Sequence, residues 1–306
     1  MNRYILVAAI TVVLLGVGGY FFINSQKGIT MPWQGNNMMN SGEKPITKPG
    51  GSYQLEVTSD TTNINPKTAT KFSFRVKDTS GEVFKKYEIA HEKLMHFIGV
   101  RKDLANFLHL HPDYNEATGE FTVMIPFPDD GPYRLFPDFT PGVENPDKQP
   151  VTLFTDVEVG NSANYYVQSV VPDSEVKKTY GEYNISFDFP KDVQKEKEVT
   201  FGVSVAQNGQ PVTNLENYLG ALGHSVILKE GTLDFIHTHA LDSKSTDTTQ
   251  AHDQQQAQHG STTQGTDQGP KISFSTTFPE SGVYKIFTQF QHEGKVQTVD
   301  YIVKVN

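Results

Sequence analysis

An internal repeat constrains what this 306-residue chain can fold into more than any other feature of its sequence. Three histidines with identical spacing occur in each half of the chain: His96, His109 and His111, then His224, His237 and His239. The segment FPDDGPYRLFPDF at 127–139 likewise recurs as FPESGVYKIFTQF at 278–290. The histidines are offset by 128 positions and the later segment by 151, so an insertion of 23 residues separates them in the second copy. The repeat predicts two related domains, which also suits the length of the chain.

Both copies consist of short runs rich in β-branched and aromatic residues, separated by turn residues. The predicted strands of the first copy are 53–57, 70–76, 92–100, 106–111, 119–127, 133–139 and 151–159. Those of the second copy are 183–189, 198–205, 223–229, 233–240, 271–278, 283–290 and 296–305. Seven strands in about 110 residues are typical of an immunoglobulin-like sandwich. We therefore predict an all-β protein with two tandem immunoglobulin-like β-sandwich domains preceded by one N-terminal transmembrane helix.

The helix is predicted at residues 4–24, which carry no charge and match the ~20 residues with which a helix spans a bilayer. Arg3 precedes this segment, and the positive-inside tendency then places the N-terminus in the cytoplasm. The apolar run is longer than a usual signal-peptide core, and no small-residue cleavage site follows it. The chain is thus predicted to be a single-pass protein of the cell membrane with extracytoplasmic (periplasmic or extracellular) C-terminal domains.

These patterns divide the chain into an anchor at 1–25, a flexible linker at 26–52, a first sandwich at 53–160 and a second at 161–306. The linker contains Met31, Met38 and Met39, whose thioethers suit Cu(I), although three methionines in a linker are more often incidental. The polar stretch 242–269 is the insertion and is predicted to be a disordered loop, with His252 and His259 as loose metal ligands or chance residues.

Composition excludes two classes of site. The net charge of −9 argues against a nucleic-acid partner, which requires concentrated Lys and Arg. The chain has no cysteine, so a metal must be held by His, carboxylate, Met or backbone oxygen. The histidine clusters are therefore the principal candidate metal ligands.

The spacing within each cluster predicts a hairpin. If His96 faces His109 across two strands, the turn is a two-residue loop at Lys102 and Asp103, and the equivalent turn in the second copy lies at Glu230 and Gly231. The two histidines of each His-x-His point to the same face of their strand, so three imidazoles converge in each domain. Placement of the two segments in opposite sheets would instead separate them.

Four further residues are weaker candidates. Asp138 and its counterpart Gln289 end equivalent strands, where each could supply an oxygen ligand or accept a hydrogen bond from a ligating histidine. His292 has no equivalent in the first copy and could make the two sites unequal. His91 is an odd number of positions from His96, which places it on the opposite strand face unless a bulge intervenes, and its counterpart is Leu219.

Three neutral imidazoles with an open coordination position suit Cu(II) or Zn(II), and the Irving–Williams order favours copper. The competing interpretation is that each histidine is a hydrogen-bonded core or hairpin residue. Repetition of the same three-histidine spacing, with the first histidine inside an apolar run each time, favours metal binding.

Two segments carry a resemblance to a known group. LENYLGALGHSVILKEGTLDFIHTH and HEKLMHFIGVRKDLANFLHLHPDYNEATGEF, each with its later aromatic strand, resemble bacterial copper-resistance and YtkA-like extracytoplasmic β-sandwich proteins over residues 53–306. The resemblance implies an immunoglobulin-like fold, heavy-metal handling and metal ligation by the six repeated histidines. One departure is that the proline following His-x-His is present as Pro112 but is replaced by Ala240 in the second copy.

We therefore expect an extracytoplasmic metal-binding protein, preferring copper, that buffers, delivers or confers resistance to the metal at the membrane surface. Its expected partners are the membrane and a copper transporter or other metal-handling protein. The alternative is a cell-surface interaction or structural protein with structural histidines. We do not expect an enzyme, because no general-base carboxylate, Ser-His-Asp arrangement or phosphate-binding loop is recognisable.

Overall fold

The computed structural model describes residues 53–142, 149–241 and 271–306. The first half contains ten strands: β1 (Gln54–Ser59), β2 (Ala69–Lys77), β3 (Tyr87–Glu88), β4 (His96–Arg101), β5 (Phe107–Leu110), β6 (Asp113–Asn115), β7 (Glu120–Pro126), β8 (Gly131–Pro141), β9 (Val151–Thr152) and β10 (Thr155–Val159). The second half contains nine: β11 (Lys177–Tyr180), β12 (Tyr183–Asp188), β13 (Glu198–Gln207), β14 (Gln210–Pro211), β15 (His224–Lys229), β16 (Phe235–His239), β17 (Lys271–Thr277), β18 (Gly282–His292) and β19 (Lys295–Val305). The only other regular element among these residues is one short 3-10 helix, Ser162–Asn164.

Each half forms two sheets that share one core. In the first sandwich, the sheet β1-β2-β7-β6 packs on the sheet β10-β8-β4-β5, to which β3 and β9 also pair. Alternate residues of β2, Phe72, Phe74 and Val76, face inward, and Phe74 stacks on Phe97 of the opposite sheet at 5.0 Å between ring centroids. This period of two is the pattern expected of a strand with one buried face.

The second sandwich repeats the arrangement. The sheet β11-β12-β13-β14, to which β17 pairs, packs on the sheet β16-β15-β18-β19. Phe201 of β13 stacks on Phe274 of β17 at 5.1 Å, and Phe278 and Tyr284 meet edge to face at 4.8 Å. The predicted all-β architecture is confirmed for the described residues, and each predicted strand coincides with one or two observed strands.

The predicted hairpin register was wrong by two residues. His96 lies opposite His111 rather than His109, since β4 and β5 pair Phe97 with Leu110. In the second sandwich, His224 likewise pairs with His239 rather than His237. The predicted two-residue turns are four-residue loops, closed by the hydrogen bond from the Arg101 amide to the Asn106 carbonyl and by its equivalent from Lys229 to Asp234. Leu104 and Leu233 adopt positive φ in these loops. The sequence does not indicate this, because the loops lack the Asn-Gly pair that usually marks positive φ in a hairpin turn.

The predicted strand 92–100 begins only at His96, because a tight turn precedes it. Ala90 and Lys93 exchange backbone hydrogen bonds, and His91 and Glu92 between them have φ of 48° and 66°. The equivalent turn in the second sandwich joins Tyr218 to Ala221 in the same way. The positive φ values reverse the chain and so remove the strict alternation assumed for His91.

Strands β4 and β15 have unbroken buried runs because both of their faces are covered. One face of β4 points into the first sandwich core, while Ile98 and Val100 point away from it. Their equivalents in β15, Val226 and Leu228, pack against them in a cluster to which each sandwich contributes four buried residues. The two sandwiches therefore pack sheet against sheet, with the histidine-bearing hairpins at the interface.

Aromatic contacts show that this interface has approximate two-fold symmetry. Phe107 of the first sandwich stacks on Phe287 of the second at 4.5 Å. The repeat equates Phe107 with Phe235 and Phe287 with Phe136, and those two rings also meet, at 5.2 Å. The same contact is thus made twice with the roles exchanged, as at the interface of a symmetric dimer.

Replacing Phe287 by leucine is expected to lower the free energy of unfolding by about 1 kcal/mol, since aromatic pairs contribute ~0.5–1.5 kcal/mol beyond their buried area. Phe107→Leu alone should have a similar effect, and the double variant should cost less than the sum. Urea unfolding of the four proteins measures the coupling. Strict additivity would show that the stack does not stabilise the interface.

The part of the chain described here contains no helix with the length and hydropathy needed to cross a bilayer. The predicted anchor at 1–25 and linker at 26–52, with its methionines, lie outside the described residues. So does the predicted disordered insertion at 242–269, with His252 and His259. These predictions stay predictions.

Candidate metal centre

The structure brings the six repeated histidines together in two groups, each able to present three ligand atoms within 4.8 Å of one another. We call His96, His109 and His111 the first triad, and His224, His237 and His239 the second triad. In each, the first histidine lies on the interface face of the inner strand, and the His-x-His pair points to the same side from the neighbouring strand. Convergence of three imidazoles per repeat is therefore a property of the hairpin.

Hydrogen bonds determine which ring nitrogen of His96 and of His109 is available in the first triad. His96 donates from Nε2 to the Ala90 carbonyl at 3.1 Å, and His109 donates from Nδ1 to the side-chain oxygen of Gln289 at 2.6 Å. Their remaining nitrogens, Nδ1 of His96 and Nε2 of His109, face each other at 3.1 Å. In the neutral rings both of these atoms carry lone pairs, so a cation between them would replace a repulsion with two ligand bonds.

The second triad follows the same scheme. His224 donates from Nε2 to the carbonyls of Tyr218 and Leu219, at 2.8 and 3.2 Å, and His237 donates from Nδ1 to Asp138 at 3.0 Å. Nδ1 of His224 and Nε2 of His237 are left bare. Such a hydrogen bond on the far nitrogen is the usual arrangement of a metal-ligating histidine, because it orients the ring and fixes its tautomer.

Most buried polar atoms without a partner are found in this centre. Of the five such side-chain atoms in the described residues, four are triad nitrogens: His111 Nε2, His224 Nδ1, His237 Nε2 and His239 Nε2. A buried unsatisfied polar atom costs about 1–3 kcal/mol, so four in one place require an explanation. Coordination of metal ions would satisfy all four.

The two triads adjoin across the interface. His96 lies 5.5 Å from His237 and 6.3 Å from His224 between ring centroids, and His109 lies 6.4 Å from His237. The structure therefore contains one histidine centre between the sandwiches, to which each domain contributes the three-histidine cluster predicted for it.

Each triad is also supported from the opposite sandwich. Gln289, in the second sandwich, accepts from His109 of the first, and Asp138, in the first, accepts from His237 of the second. Both residues were predicted to supply an oxygen ligand or to accept a hydrogen bond from a ligating histidine, and in the structure each accepts a hydrogen bond from a triad histidine across the interface. Only the packing of the two sandwiches brings these partners together.

Burial and neighbouring charges lower the pKa of five triad imidazoles. Burial, aided by the proximity of His237, lowers the pKa of His96 to about 3 and that of His224 to about 4. Burial and the nearby Lys93 lower the pKa of His111 to about 4. Burial likewise lowers the pKa of His109 and His239. Metal ions bind neutral imidazole, so these shifts keep ligands available at neutral pH.

His91 is closer to the centre than its sequence position predicts. Its ring stacks on His239 at 3.5 Å between centroids and lies 5.5 Å from His224, at the exposed rim of the second triad. The prediction that it lies on the opposite strand face was wrong, because it lies in the turn before β4 rather than in a strand.

His292 belongs to neither triad. It is buried in the second sandwich, where its Nδ1 pairs with the Tyr183 hydroxyl at 2.9 Å and its Nε2 with the side-chain oxygen of Asn214 at 3.1 Å. Both ring nitrogens are therefore satisfied within the protein. The prediction that His292 makes the metal sites unequal is not supported by this placement.

Sequence reasoning missed the shared interface. The signal that could have revealed it is the apolar run that follows each first histidine, FIGV directly after His96 and VIL after His224 and Ser225. A strand of a free-standing sandwich alternates apolar with polar residues, so a continuous run predicts that a second layer covers the outer face.

Several solved structures are similar in part to this chain. The soluble domain of PmoD from Methylocystis sp. ATCC 49242 (Rockwell) is 17% identical with a TM-score of 0.27, over 38% of this chain and 98% of that one. Salmonella alpha-2-macroglobulin reacted with methylamine is 10% identical with a TM-score of 0.26, over 85% of this chain and 15% of that one. The Escherichia coli adhesin FdeC is 12% identical with a TM-score of 0.25, over 82% and 64%. Likeness at this level supports no inference about function.

Comparison with the curated proteins gives no match. A family model described as "Domain of unknown function (DUF8832)" matches residues 50–158 and 177–306. Each matched segment covers the strands of one sandwich, except that the first segment ends one residue before the end of β10. Since the two segments make up most of the chain, the protein belongs to the DUF8832 family.

Proposed function

We propose that this protein binds copper ions between its two sandwiches and serves as an extracytoplasmic buffer, resistance or delivery protein at the membrane surface. The observation that carries the proposal is the convergence of four buried, unpartnered imidazole nitrogens in two three-histidine groups. The hydrogen bonds on the far nitrogens add to this, because they point the bare nitrogens toward one another.

The ligand chemistry supports copper. Each triad offers three imidazole nitrogens, a set that suits copper and zinc, and at equal availability the Irving–Williams order favours Cu(II) over Zn(II). The resemblance of the His-x-His segments to copper-resistance proteins supports the same choice. Location outside the cytoplasm rests on the uncharged segment 4–24 and the charge that precedes it.

We propose binding without turnover. The first histidine of each triad is almost inaccessible, at 3% exposure for His96 and 1% for His224, and the apolar interface lies beneath them. Such burial suits retention of an ion and its transfer to a partner, such as a copper transporter or another metal-handling protein. This partner approaches the centre from the exposed rim near His91.

The test is a Cu(II) titration of the full chain, followed by removal of weakly held metal and elemental analysis, with Zn(II) in parallel. We expect two retained copper ions per chain and displacement of zinc by copper. Retention of no ion would contradict the proposal and favour the alternative, in which the histidines join the sandwiches of a cell-surface interaction protein.

A further inference from the structure

The two triads consist of equivalent histidines, but the residues that hydrogen-bond to them from the opposite sandwich differ in charge. Asp138 and Gln289 are equivalent in the repeat, and each lies directly opposite the first histidine of its own sheet. Asp138 nevertheless accepts from His237 of the second triad, and Gln289 accepts from His109 of the first. The second triad thus has a carboxylate behind one ligand where the first triad has a neutral amide.

From this difference we infer that the centre binds two divalent ions unequally: the second triad, backed by Asp138, is the tight site, and the first triad, backed by Gln289, is the weak one. The inference rests on the proposed function and deepens it. It makes Asp138 and Gln289 positioning residues that determine the order of filling, and it predicts that the ion in the weak site is the one that exchanges first.

Because Asp138 is buried, its charge interacts strongly with His237. The side chains of His237 and Asp138 are only 10% and 8% exposed, so solvent screens their interaction weakly. The second carboxylate oxygen accepts from the Thr152 hydroxyl at 2.7 Å, and no Lys or Arg of the described residues pairs with this carboxylate. A carboxylate hydrogen-bonded to a ligating histidine increases the basicity of the ligand and offsets part of the charge of the ion.

A second charge difference acts in the same direction. Lys93 lies close enough to His111 of the first triad to disfavour a positive charge there. Its equivalent beside the second triad is Ala221, which is buried and uncharged. The Asp138 carboxylate also lies near His96 of the first triad, but its hydrogen bond is to a histidine of the second triad. This hydrogen bond and the Lys93 charge beside His111 both favour a divalent ion at the second triad.

The hydrogen bonds provide matched substitutions. Gln289 accepts from His109 and donates from Nε2 to the Thr298 hydroxyl at 2.9 Å. An amide at position 138 can make the same pair of contacts, to His237 and Thr152, so Asp138→Asn should preserve the structure and remove only the charge. Gln289→Glu adds a charge at the equivalent place by the reverse change.

The experiment measures Cu(II) affinity of the full chain by competition with a chelator, in parent protein and variants. We expect two binding steps in the parent. Because changes to such supporting residues typically alter metal affinity by about 10–100-fold, Asp138→Asn should weaken the tight step by that factor, and Gln289→Glu should tighten the weak step. The double variant should fill the triads in reverse order. Thr152→Val, which keeps the charge, is the control and should change either step by less.

Site-isolating variants assign the steps. A His111→Ala background leaves the second triad complete, and there Asp138→Asn should lower the affinity for the remaining ion. In a His239→Ala background, which leaves the first triad complete, Asp138→Asn should have little effect on affinity. Equal affinity of the two sites in the parent, or equal effects in both backgrounds, would overturn the inference while leaving metal binding intact. Absence of any bound copper in the parent would overturn the proposed function, and the inference with it.

Discussion

Changing His109 and His111 together to alanine is expected to reduce the copper retained by the chain from two ions to one, and changing His237 and His239 should have the same result. Each pair supplies two of the three nitrogens of its triad, and a single remaining imidazole cannot hold an ion through removal of weakly bound metal. Changing all four residues should abolish retention. Elemental analysis after copper loading measures the stoichiometry.

His292→Gln is a matched control for this experiment. His292 is as buried as the first histidines of the triads, but its nitrogens are paired with Tyr183 and Asn214, away from the centre. We expect this variant to retain two ions even if its stability falls. Circular dichroism of every variant establishes that the sheets are intact. Retention of two ions by a folded triad variant would show that the histidines removed are not ligands.

Acidification is expected to destabilise the metal-free protein by several kcal/mol between pH 6.5 and pH 4. The pKa of His224 is about 6.5 in the unfolded chain and about 4 in the folded protein, because burial disfavours its charged form. Between these values the unfolded state binds the proton and the folded state does not, so stability is present above pH 6.5 and is lost as the pH falls toward 4. The shift corresponds to about 3 kcal/mol for this residue.

Denaturant unfolding of the metal-free chain at a series of pH values measures this effect. His96 and His111, whose pKa values are lowered to about 3 and about 4, contribute with the same sign. His224→Gln should flatten the dependence by about one proton, since the amide can still donate to the Tyr218 carbonyl but does not titrate in this range. An unchanged slope in that variant would show that His224 is not buried in its neutral form. Bound copper should be released over a related range, as protons compete for the same nitrogens.

The sequence alone revealed the repeat, the all-β fold class and the six histidines that form the two triads. Hydrophobic alternation and β-branched residues are local signals, and they located the strands because each strand of a sandwich must bury one face in its own core. The spacing of His109 and His111 was sufficient to place both on one strand face, because residues two apart share a face in any register. Their convergence with His96 also required that the two segments pair in one sheet, which the structure shows. The register itself was mispredicted, since it depends on the four-residue loop around Leu104.

Tertiary structure alone decided that the two triads form one centre. Asp138 contacts His237, and Gln289 contacts His109, across 99 and 180 positions of sequence, and no local pattern encodes those pairs. They arise because the outer faces of β4 and β15 are apolar and are buried against each other, which brings the histidines at the starts of both strands to one place. Sequence reasoning treats each repeat separately, whereas burial of the shared face decides which charges surround each metal ligand.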